Sequence, residues 1–332
     1  MADLVAGVDG GNSKTDLVLA DTEGRLLAWV RGEGTRPHRE GMAVTAKGLA
    51  GLLRRALAEA GRPAAPVAVG AYFLANVDVP EAEQAALRLL SALDVAERVI
   101  VRNDTLAILR AGAPAGWGVA VVSGAGINAV GVHPRGGSAR FLSLGDITGD
   151  WGGGMSVARA GLGAAVRAGD GRGRATVLRE VLPVRFGLRT VEAVALAVST
   201  GEIPVPELHG LAPLVFAAAD GGDAVAREIV ERLGDEIVTM VTALLHRLDL
   251  MGTPTPVVLG GGTLQNGQAL LHDHIRARLA DRAPLAEPRV LDVQPVAGAV
   301  VEALMEAGAT ESARRRVRHA IAGARPTSAM AG

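Results

Sequence analysis

The chain has 332 residues, more than one hydrophobic core usually serves, so its length predicts two domains. Apolar residues make up 49% of the sequence, charged residues 21%, and the formal net charge is -1. This balance is typical of a globular protein and indicates neither nucleic acid nor an anionic membrane as a partner. Cysteine is absent, which excludes disulfides, thiolate zinc sites, cysteine nucleophiles and cysteine-ligated iron–sulfur clusters.

Nothing in the sequence indicates export or membrane insertion. No apolar stretch reaches the roughly 18 residues that a membrane span requires. The N-terminus carries Asp3 and leads directly into a strand-like segment, without the basic and apolar regions of an export signal. We therefore expect a cytoplasmic protein, and the sequence leaves a homodimer open.

The first part of the chain predicts three strands joined by turns. The apolar run 4–8 ends in a cluster of turn-forming residues, and further strands are predicted over 15–20 and 25–31. The next elements are, in chain order, a helix, a strand, a helix and a strand over residues 41–61, 67–72, 81–93 and 98–101. The last strand runs into Asn103 and Asp104.

A second set of three strands then repeats the first. The strands are predicted over 119–122, 128–132 and 139–142, and the first of them ends in a glycine-rich turn. With a shift of 114 residues, Asp9 falls on Ser123 and Gly10 on Gly124. Two such meanders predict a duplicated unit, that is, two similar domains that face a cleft.

The remainder of the chain is predicted to be mainly helical. After a long amphipathic stretch over 224–250 come a strand, a glycine loop and two helices, over 257–259, 260–262, 267–279 and 296–307. We predict an N-terminal domain, a C-terminal domain and a tail, over residues 1–112, 113–308 and 309–332. The tail contains Arg314-Arg315-Arg316 and few large apolar residues, which predicts a frayed helix or disorder, with a docking signal as the alternative.

The turn after the first strand carries the strongest chemical signal. It combines glycines, which let the backbone approach an anion, with amide, hydroxyl and ammonium donors: Gly10, Gly11, Asn12, Ser13, Lys14 and Thr15. Asp9 ends a strand beside this turn, where a carboxylate can hold Mg²⁺ through water. An ordinary hairpin turn is the alternative. A Walker A or Rossmann loop is excluded, because the spacing differs and a strand follows instead of a helix.

Two more glycine loops occur further along the chain. One lies between two strands and consists of Ser123, Gly124, Ala125 and Gly126. The other lies between a strand and a helix and consists of Gly260, Gly261 and Gly262. Each is compatible with an ordinary tight connection. Together with the first turn, they predict two phosphate-binding loops and one surface for adenosine.

Two acidic residues are candidates for chemistry. Asp104 follows an apolar strand and starts a helix, so it is either a catalytic base or a helix N-cap, which is common and worth about 1 kcal/mol. Asp150 lies in the glycine-rich segment 149–154, where a turn-forming role is the alternative. The scattered histidines are predicted to be surface or core residues and not metal ligands.

The order of these motifs resembles the N-acetylglucosamine kinase and BadF-type ATPase family of the sugar kinase–heat-shock protein–actin superfamily. The segments that carry the resemblance are VDGGNSKTDLVLAD, NDTLAILRAG, VSGAGINAVGV, GDWGGG and VVLGGGTLQNG, and the match spans roughly residues 4–307. It implies an α/β fold with two ribonuclease H-like domains around a nucleotide cleft. It also implies ATP and Mg²⁺ as cofactors and a small amino sugar as substrate.

The resemblance also implies a role for each motif. The turn over residues 10–15 would hold the β- and γ-phosphates of ATP and Asp9 the metal, while Asp104 would be the general base. Residues 123–126 would form the second phosphate loop and residues 260–262 the adenosine site. The family pattern implies transfer of the γ-phosphate to the 6-hydroxyl of an amino sugar, first of all N-acetylglucosamine. The candidate sugar ligands are Asn103, Asp104, Asn128, Asp150, Arg36 and Asn76.

The sequence departs from the family pattern where the family selects its sugar. Arg36 stands at the position of an asparagine in the loop after the third strand, and Asn76 lies in a loop that usually reads Gly-Val-Asp or carries a serine. The segment that ends in Asp146 replaces the usual Trp-Gly-His or Trp-Gly-Tyr. ATP chemistry is therefore better supported than N-acetylglucosamine as the acceptor.

Three other functions stand beside the amino-sugar kinase. An ATP-driven activator of a radical dehydratase holds its iron–sulfur cluster by cysteines, which this chain lacks. A sugar-sensing regulator carries a DNA-binding segment ahead of the kinase-like fold, whereas the first strand here starts at Leu4. A kinase of glucosamine or of another hexose stays open, because the loops that depart are those that select the sugar.

Overall fold

The computed structural model describes residues 3–266 and 269–328. Eleven strands, β1 to β11, occur in this part of the chain at Leu4–Gly10, Lys14–Asp21, Leu26–Glu33, Val67–Leu74, Ala96–Asn103, Gly118–Ser123, Ile127–Val132, Ser138–Arg140, Thr255–Gly260, Ala286–Val290 and Thr327–Ser328. The thirteen α-helices of the described residues, α1 to α13, are Pro37–Glu40, Met42–Glu59, Pro80–Ser91, Thr105–Gly112, Gly153–Gly169, Leu178–Val184, Val191–Thr200, Ala212–Asp220, Ala224–Arg247, Gly262–Gln265, Ala269–Arg282, Val296–Glu306 and Glu311–Gly323. The predicted helix over 267–279 starts, as far as the described residues show, at Ala269.

The chain divides into two compact units. The first consists of the described residues up to Ala120, of 134–136 and of those from Leu291 onward; the second consists of Val121–His133 and Gly137–Val290. No helix of the described ranges is both long enough and apolar enough to cross a membrane.

The first unit is built on a sheet with the strand order β11-β3-β2-β1-β4-β5. β1, β2 and β3 pair antiparallel, as the predicted meander requires, whereas β4 and β5 run parallel to β1. Helix α2 covers one face of this sheet with apolar side chains at helical spacing, among them Leu49, Leu53 and Leu57. Burial of this face against β1 to β4 forms the core of the first unit.

The second unit repeats this arrangement. Its sheet has the order β10-β9-β6-β7-β8, so the first strand of the set lies between the second and the fourth, as in the first unit. β7 and β8 pair antiparallel and β10 runs parallel to β9. Two sheets with one strand order confirm the predicted duplication and the α/β class, and the order is that of ribonuclease H-like domains.

The C-terminal segment differs from the prediction. The sequence predicted a domain over 113–308 and a frayed or disordered tail over 309–332, but α12, α13 and β11 pack within the first unit. Helix α13 buries Ala313, Val317 and Ile321, which recur every four residues and therefore share one face. Burial of this face stabilises the helix, and β11 adds a short parallel strand to β3. Residues 329–332 of the predicted tail lie outside the described residues.

Helix α12 approaches both the sheet and α4 at glycines. A Cβ atom at Gly7 of β1 would lie 2.2 Å from the backbone nitrogen of Val300, and a Cβ atom at Gly298 would lie 1.9 Å from the carbonyl oxygen of Ala107. Both contacts are with main-chain atoms, which cannot move aside as a flexible side chain can. These two glycines therefore set the distance between α12 and its neighbours.

Substitution of two glycines by alanine should have opposite effects on stability. Gly298→Ala is expected to lower the free energy of unfolding by about 1–3 kcal/mol, because the added methyl group overlaps the backbone of α4. Gly48→Ala in α2, where a Cβ atom meets nothing within 4 Å, should raise it by about 0.5–1 kcal/mol through helix propensity. Urea denaturation followed by circular dichroism measures both. Equal effects of the two substitutions would contradict the tight packing of α12.

Candidate active site

Three loops of the first unit meet at the carboxyl end of β1. The amide of Gly11 donates to the carbonyl of Lys14 at 3.0 Å and closes the turn between β1 and β2. The amide of Thr35, after β3, donates to the carbonyl of Gly11 at 2.9 Å, and the amide of Ala75, after β4, donates to that of Gly10 at 2.8 Å. The two loops predicted to select the sugar therefore lie against the turn predicted to bind phosphate.

Asn12 at the tip of this turn contacts both candidate sugar ligands of these loops. The Nε atom of Arg36 donates to the backbone carbonyl of Asn12 at 2.8 Å, and the Nδ2 atom of Asn76 donates to its Oδ1 atom at 2.8 Å. Asn76 has a φ of 61°, a left-handed conformation that asparagine adopts more readily than most residues. The tertiary structure thus brings together Asn12, Arg36 and Asn76, which are far apart in the sequence.

Gly10 and Gly34 allow this close approach of the loops. A Cβ atom at Gly34 would lie 2.2 Å from the carbonyl oxygen of Asn12. One at Gly10 would lie 2.7 Å from Cδ2 of Leu74 and 2.7 Å from Oγ1 of Thr35. A side chain at either position would push the loops apart.

The polar residues of the turn differ in what they can offer an anion. Asn12 and Ser13 are exposed, and Lys14 has an exposed side-chain fraction of 47%. Thr15, by contrast, is buried, and its hydroxyl donates to the carbonyl of Glu33 at 2.6 Å. The donors that face solvent are therefore those of residues 12–14, while the hydroxyl of Thr15 ties the turn to β3.

A buried ion pair that the sequence analysis missed lies beside Asp9. In the sheet, Asp9 is the cross-strand partner of Asp16, which is in turn the partner of Arg31. Asp16 is buried and accepts hydrogen bonds from Nε of Arg31 at 2.8 Å, from Nη2 of Arg31 at 2.9 Å and from the Trp29 indole at 3.3 Å. The signal in the sequence was an acidic residue within an apolar strand, which requires a partner when buried.

Asp9 carries an unusual electrostatic environment. Loss of hydration raises its pKa to about 8, with further contributions from the carboxylates of Asp104 and Asp16, against the lowering effect of Lys14 and Arg31. A carboxyl group held in this way gains from a nearby cation. Among the described residues, no three His, Cys, Asp or Glu side chains form a complete metal site. Asp9 fits the usual mode of Mg²⁺ in nucleotide sites, one or two carboxylates plus phosphate oxygens.

Asp104 occupies the N-cap position of α4 without capping the helix. Its side chain makes no capping hydrogen bond; the Oδ1 atom of Asn103 instead accepts from the amide of Thr105 at 3.1 Å and from its hydroxyl. Burial and the carboxylate of Asp78 raise the pKa of Asp104 to about 7, while the amides of residues 104 and 105 act in the opposite direction. Asn103 caps the helix, and the carboxyl group of Asp104 is left for another role.

Asn103 itself is only 2% exposed. Besides its bonds to Thr105, its Nδ2 atom donates to Oδ1 of Asp78 at 2.9 Å and to the carbonyl of Val77 at 3.4 Å. The sequence suggested Asn103 as a sugar ligand, but its side chain is engaged within the protein. It positions Asp78 and the start of α4 around Asp104.

The second unit has three glycine-rich segments, residues 123–126, 149–154 and 260–262, and the last two contact the first. The amide of Gly154 donates to the carbonyl of Gly124 at 2.7 Å, and the hydroxyl of Thr263 points to the same carbonyl at 3.3 Å. A Cβ atom at Gly153 would lie 2.4 Å from the carbonyl oxygen of Gly126, and one at Gly261 would lie 2.4 Å from that of Ser123. Both glycines have φ above +70°, which alanine and larger residues rarely adopt.

Gly124 and Gly126 of the loop over residues 123–126 have free space where a side chain would extend. A Cβ atom at Gly124 or Gly126 would meet no atom of the described residues within 4 Å. Ser123 is fully buried, and its hydroxyl has no hydrogen-bond partner among the described residues. A ligand of this loop would therefore contact the backbone around Gly124 and Gly126 and not the serine hydroxyl.

Asn128 and Asp150 are held by local hydrogen bonds in the second unit. The Oδ1 atom of Asn128 accepts from the hydroxyl of Ser143 at 2.5 Å, and Oδ2 of Asp150 accepts from the amide of Gly145 at 3.1 Å and from the hydroxyl of Thr148. Asp150 also lines a cavity of about 120 Å³ whose other walls include Phe141, Trp151, Glu236, Thr239 and Met240. Asp146, which departs from the family pattern, is exposed and pairs with Arg159 at 3.2 Å.

Comparison with known proteins identifies relatives of this chain and structures that share its fold. An N-acetylmuramic acid/N-acetylglucosamine kinase from Clostridium acetobutylicum is 24% identical over 302 residues, which cover 91% of this chain and 98% of that protein. An N-acetyl-D-glucosamine kinase from Dictyostelium discoideum is 24% identical over 91% of this chain and 98% of that protein. The structure of a candidate N-acetylglucosamine kinase from Chromobacterium violaceum superposes with a TM-score of 0.71 at 24% identity, over 90% of this chain and 98% of that one.

The two repeated units with their glycine loops define an actin-like ATPase fold. A glucokinase of the ROK family from Streptomyces griseus, solved with glucose and AMPPNP, shares it with a TM-score of 0.57 at 19% identity, over 91% of this chain and 98% of that one. Residues 6–303 match the BadF/BadG/BcrA/BcrD ATPase family, and the chain belongs to that family. The resemblance predicted from the motifs and the use of ATP are thereby confirmed.

The raised pKa of Asp9 predicts the pH dependence of stability. The folded protein retains a proton on Asp9 that the unfolded chain releases near pH 3.8, so the free energy of unfolding should fall as the pH rises from about 4 to about 8. Asp9→Asn should remove part of this slope and stabilise the protein at pH 8.5 by at least about 1 kcal/mol, since each pKa unit of the shift corresponds to about 1.4 kcal/mol.

Asp21→Asn is the control of opposite sign. Burial alone would raise the pKa of Asp21, but hydrogen bonds from Arg25 outweigh this effect and lower that pKa. Loss of the ionised carboxylate should therefore destabilise the protein at neutral pH. Denaturant titrations between pH 5 and pH 9 measure both variants. A wild-type slope that Asp9→Asn leaves unchanged would contradict the raised pKa of Asp9.

Proposed function

We propose that this chain is an ATP-dependent sugar kinase that transfers the γ-phosphate of ATP to the 6-hydroxyl of an amino sugar, first of all N-acetylglucosamine. The observation that carries the proposal is the carboxyl group of Asp104. It stands at a strand end, makes no capping bond, and lies close enough to Asp9 beside the phosphate turn to influence its pKa. A purely structural aspartate at this position would cap α4, a task that Asn103 performs.

Asp104 is the general base of this proposal. Its pKa of about 7 lies near the pH of the cell, which is the most effective range for a group that must be ionised yet still accept a proton. In the proposed step, Asp104 accepts the proton of the sugar 6-hydroxyl as that oxygen bonds to the γ-phosphorus and the bond to the β-phosphate oxygen breaks. ADP leaves with the electron pair of that bond.

Phosphoryl transfer requires alignment and neutralisation of charge from the protein. We propose that the exposed donors of residues 12–14 and the backbone of the turn hold the terminal phosphates. The open backbone of residues 123–126 is proposed as the second phosphate loop, and residues 260–262 as the adenosine site. Asp9 would hold Mg²⁺, which when bound supplies positive charge to the phosphate oxygens.

The acceptor is proposed from the relatives and from the loops around Asn12. Both curated relatives are named as kinases of N-acetylated amino sugars. Arg36 and Asn76 lie against the phosphate turn and are proposed to orient the sugar, together with Asn128 and Asp150 of the second unit. Glucosamine is the second candidate acceptor, because Arg36 replaces the asparagine of the family pattern in a loop that selects the sugar.

A panel of sugars tests the acceptor. We expect ADP release in the presence of Mg²⁺ and ATP to rise at least tenfold above the water background with N-acetylglucosamine or glucosamine, and phosphorus NMR should place the new phosphate on the 6-hydroxyl. Glucose and N-acetylmuramic acid complete the panel. If only glucose stimulates ADP release, the amino-sugar assignment is wrong although the kinase assignment stands; if no sugar does so, the kinase assignment fails.

Replacement of Asp104 by asparagine tests the base. Asp104→Asn keeps size and most hydrogen-bonding capacity but cannot accept the proton, so turnover should fall about 10²–10⁴-fold. The matched control is Asp223→Asn at the N-cap of α9, because Asp223 does accept a capping bond, from the amide of Ala226 at 2.8 Å. This variant should keep its turnover, since asparagine caps a helix as well as aspartate.

Wild-type kcat/KM for the sugar should also decline as the pH falls below about 7, where Asp104 takes up a proton. An Asp104→Asn enzyme that binds ATP and retains turnover within threefold of the wild type would remove Asp104 from the mechanism.

A further inference from the structure

A second cavity lies in the first unit, where α13 faces α12 and the segment that follows α4. Its volume is about 390 Å³, within the range of sites for small molecules. None of its residues belongs to the glycine loops or to the surroundings of Asp9 and Asp104. The residues that line it are Arg110, Pro114, Ala115, Val301, Glu311, Arg314, Arg315 and Arg318.

The packing of α13 explains why arginines collect at this cavity. One face of the helix is buried through Ala313, Val317 and Ile321. Arg314 and Arg318 follow two of these positions by one residue, four residues apart, and so lie next to each other on the flank of the buried face. The arginine-rich segment of the sequence is therefore part of a cavity wall.

Three of the four arginines have an acidic partner. The Nε atom of Arg110 lies 2.6 Å from Oε2 of Glu302, and Nη1 of Arg315 lies 2.5 Å from Oε1 of Glu311. Nη2 of Arg318 lies 2.5 Å from Oδ1 of Asp292, and its Nε atom donates to the carbonyl of Ala111 at 3.1 Å. These pairs cancel three of the four positive charges.

Arg314 is the exception. Within the described ranges it has no carboxylate partner, and its Nε atom is buried without a hydrogen-bond acceptor. An unpaired buried donor is costly for a folded protein, and more so when the group carries charge. The cavity thus presents one guanidinium without a carboxylate partner next to three that are paired. An anion in the cavity would balance the charge of the Arg314 guanidinium.

We infer that this cavity binds the phosphate group of a small phosphorylated molecule. Phosphate offers several acceptor oxygens to guanidinium groups, which bind it in a bidentate manner. The apolar wall formed by Pro114, Ala115 and Val301 would contact the carbon body of the ligand. The inference does not depend on the proposed kinase function, because it rests on the residues around Arg314 alone.

Calorimetric titration of the full chain at constant ionic strength tests the inference, with inorganic phosphate and glucose 6-phosphate as probes. Arg314→Gln should weaken binding of the phosphate probe by about tenfold or more, since it removes a charged hydrogen-bond donor. Arg316→Gln is the matched control: Arg316 is the same kind of residue two positions along, is not among the residues that line the cavity, and donates to the carbonyl of Glu23. The affinity of the Arg316→Gln variant for the phosphate probe should stay within twofold of the wild-type affinity.

A second variant guards against a change in folding. Ala115→Leu keeps every charge but narrows the cavity, and it should weaken glucose 6-phosphate binding as well. Tighter binding of glucose 6-phosphate than of inorganic phosphate would identify a phosphate ester as the ligand, and equal binding would identify free phosphate. Wild-type affinity of both probes in Arg314→Gln, or no saturable binding at millimolar concentrations in the wild type, would overturn the inference.

Discussion

Burial of the carboxyl groups of Asp9 and Asp104, together with repulsion from neighbouring carboxylates, is the constraint on which the site of the first unit depends. The carboxylates of Asp16 and Asp104 lie close enough to Asp9 to raise its pKa. Of these three residues, only Asp16 has a bidentate arginine partner. Burial raises the pKa of Asp9 to about 8 and that of Asp104 to about 7, with repulsion from Asp104 and Asp16 added at Asp9 and from Asp78 added at Asp104. A divalent cation and a proton on its way to or from a substrate are the two species that such an arrangement accommodates best.

The neighbouring loops keep these carboxyl groups in place. Gly10 and Gly34 let the segments after β3 and β4 approach the first turn, and Asn103 caps α4 in place of Asp104 while it holds Asp78. Many polar side chains around the site thus form hydrogen bonds within the protein that hold its loops in position. For this reason a residue such as Asn103 or Thr15 can be important for the site through the hydrogen bonds that its side chain makes within the protein.

The loops of the second unit expose backbone where those of the first unit carry carboxylates. The three glycine segments of the second unit touch one another so closely that side chains at Gly153 and Gly261 would collide with carbonyl groups, while Gly124 and Gly126 stay open. A loop whose backbone is open at two glycines is suited to a phosphate or a flat base. The duplicated sheet therefore carries two different kinds of loop, one with an acidic residue at the strand end and one with Ser123 at the corresponding position.

The sequence by itself determined the α/β class, the duplicated meander, the family and the positions of the glycine loops, because strand periodicity and turn-forming glycines are local properties of the chain. The domain boundaries predicted from the sequence did not place α12 and α13 in the first unit. Amphipathic spacing shows that a helix has a buried face but not which element covers that face. Only the tertiary structure paired Asp16 with Arg31, gave the capping of α4 to Asn103 and left the Nε atom of Arg314 without an acceptor among the described residues. Each of these depends on distances between residues remote in sequence, and it is those distances that decide which charges are balanced and which remain for a ligand.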